Sequence, residues 1–261
     1  MLSGLLGVGG GTLLVPAMVY LLGMNQHQAH GTSLAVISCV VLLSAVFYGL
    51  HGQVDWIIAV EMAVGGVIGA AIGARIACLL SGSRLRRYFG IFLAAVGIRM
   101  LYDAIASIAN GGPAWPGLAV EATHLSGVLL ITSIGALAGV LSGLLGVGGG
   151  IIMIPAMVLL LGLPQKMAQG ISLAVIIPVS ISGALIHGKH GNVRADVGMW
   201  LAVGGIIGGL LGARTALGLN PCVLRGAFGL LMLLMGILML LRASRGPCEP
   251  PEREVGIELG G

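Results

Sequence analysis

Residues 143–150 read GLLGVGGG, and residues 4–11 read the same. In both copies a proline stands five positions after the last glycine, at Pro16 and Pro155. Glycine admits positive φ, and inside a helix it costs about 1 kcal/mol relative to alanine. Proline has no N–H to donate to a helical carbonyl. The stretch therefore predicts a helix that breaks at the glycines and a second, short helix that begins just after them. That short segment, 12–22 in one copy and 151–161 in the other, has about eleven residues and spans ~16 Å at 1.5 Å per residue. The hydrocarbon core of a bilayer is ~30 Å thick, so the segment cannot cross alone.

The bilayer is the right yardstick because of composition. The chain has 261 residues, of which 57% are hydrophobic and 8% charged, and its mean hydropathy is +1.06. A soluble domain carries about 25% charged residues, so this chain lacks the groups to build a solvated surface. It reads as an all-α integral membrane protein. Ten-residue alternating strands, the mark of a membrane barrel, do not occur. The formal charge of +4 is then a matter of topology and gives no sign of nucleic-acid binding. Cys39, Cys78, Cys222 and Cys248 form no C-x-x-C pair, which argues against a disulfide framework or a metal site. No cofactor is expected. The apolar start carries no basic leader of a cleavable signal.

An offset of 139 positions lays residues 3–102 on 142–241 without a gap, with about half the positions identical. PAMV repeats at Pro16 and Pro155, SLAVI at Ser33 and Ser172, H-G-x-V at His51 and His190, and GAR at Gly73 and Gly212. A period this long marks the two-half design of transporters. The expected organisation is a first membrane repeat over 1–102, a connector over 103–124, a second repeat over 125–241 and a charged, Pro/Gly-rich cytoplasmic tail over 242–261, in which Cys248 is the accessible cysteine. After the broken helix each repeat offers three segments long enough to span: 32–50, 56–80 and 85–106 in the first, and 171–188, 197–219 and 224–241 in the second.

Basic residues orient these segments. Arg84, Arg86, Arg87, Lys189, Arg194, Arg242 and Arg245 fall on one side if the two halves are inverted, while Lys166, Arg214 and Arg225 fall on the other. A parallel arrangement would divide the first group. The positive-inside rule thus favours inverted repeats, with an odd number of crossings per half. The second GLLGVGGG is preceded by an apolar run, 125–141, whereas only Met1, Leu2 and Ser3 precede the first. By symmetry roughly fifteen residues of helix are expected ahead of residue 1, from a late start or trimming. The alternative is a first half without that crossing.

In lipid, unpaired backbone groups cost several kcal/mol, so a break must be buried or line a cavity. The free N–H groups at a new helix start, at the positive end of its dipole, attract anions. Two such breaks, one from each half, would meet near the membrane midplane. Gly-rich apolar segments also serve close helix packing. Residues 65–75, GGVIGAAIGAR, and 204–214, GGIIGGLLGAR, read as packing. The GVGGG-plus-proline copies read as a site, since each adjoins a segment too short to span. They are not phosphate loops, because no Lys-Ser/Thr follows, and not dinucleotide fingerprints, because no strand precedes and no acid follows.

The doubled G-L-L-G-V-G-G-G-x-x-x-x-P, with G-x-S-L-A-V at 31–36 and 170–175, H-G-x-V and G-A-R, resembles the sulfite exporter TauE/SafE family over residues 3–241. The resemblance implies transport of small sulfur oxyanions and organosulfonates across the bacterial inner membrane. Its pattern points to Gly9, Gly10, Gly11 and Pro16, to Gly148, Gly149, Gly150 and Pro155, and to Ser33 and Ser172 as substrate-binding positions.

Other polar residues in the apolar segments are candidates too, since such groups usually face the interior. Thr32, Ser33 and Ser172 open the third segment of each half and either donate to an oxyanion or cap a helix. Ser38, Ser44, Ser180 and Ser182 are expected to bond back to their own helices. His51 and His190 either contact an anion or relay a proton, or are solvated at a helix end. Glu61, whose counterpart is Trp200, is the carboxylate deepest in a span and a candidate for proton coupling. Arg75 and Arg214 read as snorkelling anchors, and His187 and Lys189 as orientation signals. The leading function is a secondary carrier of a small anion. A channel-like anion pore and, further off, a membrane-embedded enzyme are the alternatives; no catalytic motif such as H-E-x-x-H is present. The expected partners are the small anion and the bilayer, with no nucleic acid.

Overall fold

The computed structural model describes residues 1–77, 82–110, 125–145, 149–189 and 191–244. All of its regular elements there are helices: α1 (Leu2–Leu6), α2 (Gly11–Leu22), α3 (Gln26–Leu50), α4 (Trp56–Ala77), α5 (Gly82–Asn110), α6 (Leu125–Leu145), α7 (Gly150–Leu159), α8 (Gln165–Lys189), α9 (Ala195–Gly218) and α10 (Pro221–Ser244). Among the described residues six helices are long and apolar enough to cross a membrane, α3, α4, α5, α8, α9 and α10. Large apolar side chains such as Leu21, Leu50, Ile57, Leu185 and Trp200 cover the outside. That surface suits lipid and not water.

In both halves a new helix starts at the last glycine of the triplet. α1 stops at Gly7 and α2 starts at Gly11; α6 ends at Leu145 and α7 starts at Gly150. The prolines do not occupy the first turn of the new helices. Pro155 lies inside α7, where its missing N–H leaves the Ile151 carbonyl without a helical donor. Pro16 lies within α2.

The third segment of each half begins earlier than the apolar run suggests. α3 starts at Gln26, capped by Asn25, whose side chain accepts from Gln28 N at 2.8 Å. α8 starts at Gln165. Ser33 and Ser172 therefore sit about two turns inside their helices, and the helix-cap reading of these serines is replaced by one of buried interior hydroxyls. Both are buried. Polar residues at the helix starts had hidden the first two turns.

The H-G-x-V motif is a helix stop. Gly52 and Gly191 share φ 68°, and the amide three residues after the helix end folds back, Gln53 N to Tyr48 O at 3.0 Å and Asn192 N to His187 O at 2.9 Å. This is the glycine-terminated helix end that satisfies otherwise orphaned carbonyls. Each stop then seats on the other half. A methyl group on Gly31 would overlap Asn192 O, and one on Gly170 would overlap Gln53 O. The start of α3 thus meets the end of α8, and the start of α8 meets the end of α3.

The same reciprocity runs through the bundle. α4 packs along α6 while α9 packs along α1, and α5 packs along α10. Gly65, Gly69 and Gly73 of α4 leave room for the carbonyls of Thr132, Ala136 and Val140 on α6, and Gly212 of α9 for the carbonyl of Met1. The GAR segments are packing surfaces, as their small-residue spacing indicates. At the α5–α10 contact buried Asp103 receives Arg99 Nη1 at 2.7 Å and lies 3.8 Å from Arg225 Nη1. Two cations on a desolvated carboxylate make removal of the acid the costly change, because the arginines would be left uncompensated.

Candidate anion site at the glycine turns

The two breaks meet. A methyl group on Gly150 would lie 2.8 Å from Gly7 O and 3.0 Å from Val8 Cα, so the start of α7 rests directly on the turn between α1 and α2. That turn depends on glycine: Gly9 and Gly10 both have φ 79°, a left-handed conformation that costs other residues about 1–2 kcal/mol. The second copy is not its mirror, since Gly149, the counterpart of Gly10, is right-handed at φ −59°. Gly9 sits between Ile37 of α3 and Ile176 of α8, each 3.4 Å from where its methyl would stand. These isoleucines are themselves counterparts in the 139-residue register. The turn therefore lies at the centre of the two-half arrangement.

Polar groups gather at the same place. Ser172 Oγ donates to Gly7 O at 3.0 Å and stands 2.8 Å from where a Gly150 methyl would be. Tyr48 Oη lies 3.1 Å from Gly4 O and 3.2 Å from Gln169 Oε1, in a fully buried setting. Ser33 Oγ lies 3.8 Å from where a Gly11 methyl would stand. Ser33 Oγ, Ser3 Oγ and Gln169 Nε2 are buried and have no protein partner. The first N–H groups of α2 and α7 have no acceptor within their helices either. The named lining is rich in donors and carries no charged side chain. Such a surface is chemically suited to an anion, which it could hold by dipoles and O–H and N–H groups.

Of the residues singled out in the sequence, Gly9, Gly10, Gly11, Gly149, Gly150, Ser33 and Ser172 come together here. Gly148 and His190 lie outside the described residues. His51 does not join them: it is exposed at the end of α3, with Nδ1 2.8 Å from Phe47 O and its ring tilted 41° against that of Phe47, centroids 4.5 Å apart. Glu61 lines a cleft of about 430 Å³ with Trp56, Ile57 and Val60 on the outer face of α4, and its Oε2 has no partner. Thr32 serves as a fastener, its Oγ1 accepting from Arg194 N at 3.0 Å. Ser38 and Ser180 bond back to Ala35 O and Ile177 O as expected, but Ser44 Oγ has no partner. Tyr48 and Gln169 escaped the sequence reading because they break the repeat: their counterparts are His187 and His30.

The sequence model of one family, described as sulfite exporter TauE/SafE, matches residues 1–100 and 131–259. The chain belongs to the TauE/SafE sulfite exporter family. A probable membrane transporter protein of Xylella fastidiosa (strain Temecula1 / ATCC 700964) is 32% identical over 243 residues, covering 92% of this chain and 90% of its own. The probable membrane transporter protein YunE of Bacillus subtilis (strain 168) is 31% identical over 224 residues, covering 80% and 81%. A probable membrane transporter protein of Methanocaldococcus jannaschii is 26% identical over 259 residues, covering 92% and 91%. No solved structure matches significantly. As a TauE/SafE member with six candidate spans, the chain is a multi-pass transporter of the cell membrane.

The Ser172 hydroxyl ties the two breaks together and should be sensitive. Ser172→Ala leaves the buried Gly7 carbonyl without its donor, a loss of about 1–3 kcal/mol. Thermal unfolding in detergent should show a lowered midpoint for this variant, with weaker anion movement in the protein that remains folded. An unchanged midpoint would mean that Gly7 O has another donor.

Proposed function

We propose that this TauE/SafE member is a secondary transporter, and not an enzyme, that exports a small sulfur-containing anion such as sulfite or a sulfonate across the bacterial inner membrane. The observation that carries the reading is the junction of Gly150 with Gly7 and Val8, where buried donors without partners surround two helix starts. Inverted repeats fit this reading. The reciprocal seating of Gly31 on Asn192 and of Gly170 on Gln53 is the contact expected when equivalent helices run past each other in opposite directions. Two halves of this kind can rock about a central site to give alternating access. The chain carries no nucleotide motif, so the driving force is an ion gradient or the gradient of the substrate itself. Pro16, Pro155, Ser33 and Ser172 shape the two half-sites, while His51 and Glu61 stand apart from direct anion contact.

The test is flux in proteoliposomes. Sulfite, sulfate and a sulfonate are supplied on one side, with and without a pH gradient. Saturable movement of at least one of them is the expected result. Linear, non-saturating flux would favour a pore, and no flux of any of the three would overturn the sulfur-anion reading.

A further inference from the structure

We infer that Gln169, presented by Tyr48, is a direct oxyanion contact in the central site. This rests on the transport reading above. Gln169 lies on α8 one turn before Ser172 and is fully buried. Its backbone and stem press on the glycine turn: a methyl group on Gly7 would come within 2.9 Å of its Cα and Cβ and 3.1 Å of its Cγ. The amide at the end of that stem is half satisfied. Oε1 faces the Tyr48 hydroxyl at 3.2 Å, while Nε2 has no partner.

A fully buried amide with two idle N–H groups is costly unless something accepts from it for part of the working cycle. The donors beside the turn, Ser33 Oγ and Ser3 Oγ, are idle in the same way. An ammonium or guanidinium substrate could be met by the hydroxyl lone pairs but would leave the Gln169 N–H groups idle. A sulfur oxyanion offers several acceptor oxygens and complements them.

Tyr48 gives the amide a second choice. The one phenolic hydrogen cannot serve Gly4 O and Gln169 Oε1 together. With the amide turned over, Nε2 would donate to Tyr48 Oη, the phenol would donate to Gly4 O, and Oε1 would face the site. That orientation repels an anion. An oxyanion therefore favours the orientation in which Nε2 faces it, and Tyr48, able to donate or accept, supports either orientation. In the other half His30 and His187 occupy the equivalent positions. The anion thus meets two chemically unequal half-sites.

The experiment uses the full chain in proteoliposomes with sulfite, each variant being compared with wild type at the same pH. Gln169→Leu removes the donor and should raise KM by about tenfold to a hundredfold, the size of a hydrogen bond to a charged group, with a smaller change in maximal flux. Gln169→Glu is nearly isosteric. Its carboxylate repels the anion when ionised and donates when protonated, so its KM relative to wild type should fall as pH is lowered. A residue that only packed against Gly7 would not create that pH dependence. Wild-type KM and pH profile in both variants would overturn the inference while leaving the transport reading intact, provided that Gly150→Ala still loses flux. Loss of folded protein with both replacements would assign Gln169 to packing and also overturn it. If wild type moves no sulfur oxyanion, this inference falls with the reading beneath it.

Discussion

Gly150→Ala should reduce saturable anion flux at least tenfold, whereas Gly204→Ala should leave it at the wild-type level. The two substitutions add the same methyl group to glycines in membrane helices, and their surroundings decide the outcome. At Gly150 the methyl would stand 2.8 Å from Gly7 O, 2.8 Å from Ser172 Oγ and 3.0 Å from Val8 Cα. Two of those atoms belong to backbone, which cannot turn aside as the end of a side chain can. Relief requires the α7 start and the α1–α2 turn to move apart, and overpacking of this kind costs about 1–3 kcal/mol. The separation would break the Ser172–Gly7 hydrogen bond and misplace the donors around the turn. At Gly204 nothing lies within 4 Å of the added carbon, and alanine favours the helix by about 1 kcal/mol. Flux with sulfite, normalised to folded protein, reads the difference. Equal flux from the two variants would detach transport from the glycine junction. Gly9→Ala makes an independent check, because its penalty comes from φ 79° rather than from crowding.

Much of this arrangement was legible in the residues, and the parts that were not share a physical reason. The repeated triglycine predicted broken helices because three glycines and an absent proline N–H act locally, whatever the helix packs against. The small-residue spacing of 65–75 predicted packing because a helix face without side chains admits another backbone, as Gly65, Gly69 and Gly73 do for α6. The start of α3 was hidden because Gln26 and Gln28 are polar, and a hydrophobic run cannot reveal a helix that emerges from the bilayer before its apolar part begins. The histidine in H-G-x-V drew attention as chemistry, yet the glycine beside it carries the motif's structural role. The difference between Gly10 and Gly149 could not be read at all. Their local sequences are identical, so packing on the two halves sets φ there. Tyr48 and Gln169 meet only through tertiary structure and stand where the halves differ, so a search for repeated residues passes over them.

Gly69→Leu should destabilise the protein more than any substitution at the glycine turns, and anion binding should not restore it. Gly69 lies midway along the α4–α6 contact. Even the first carbon of a side chain there would overlap Ala136 O and lie 2.9 Å from Ala136 C and 3.0 Å from its Cα. Inside a bilayer no hydrophobic force presses helices together; their association rests on close contact and on the fit of small residues. A leucine forces the two backbones apart along neighbouring turns and forfeits the approach of Gly65 to Thr132 and of Gly73 to Val140. The cost should reach the upper end of the overpacking range, about 3 kcal/mol or more. Gly66→Ala, three residues away on the same helix, is the control. Its methyl would meet Met153 Cε at 3.4 Å, and Gly135 O and Val175 Cγ1 at 3.7 Å, ordinary contact distances, so the melting point should hardly move. Thermal unfolding in detergent, with and without sulfite, separates these cases. A leucine variant that melted with the Gly66→Ala protein would show that α4 and α6 can part without loss, and the packing role of the second glycine motif would have to be abandoned. A leucine variant that melted early, while its folded fraction kept the wild-type KM, would place this motif in the scaffold and leave recognition to the turns.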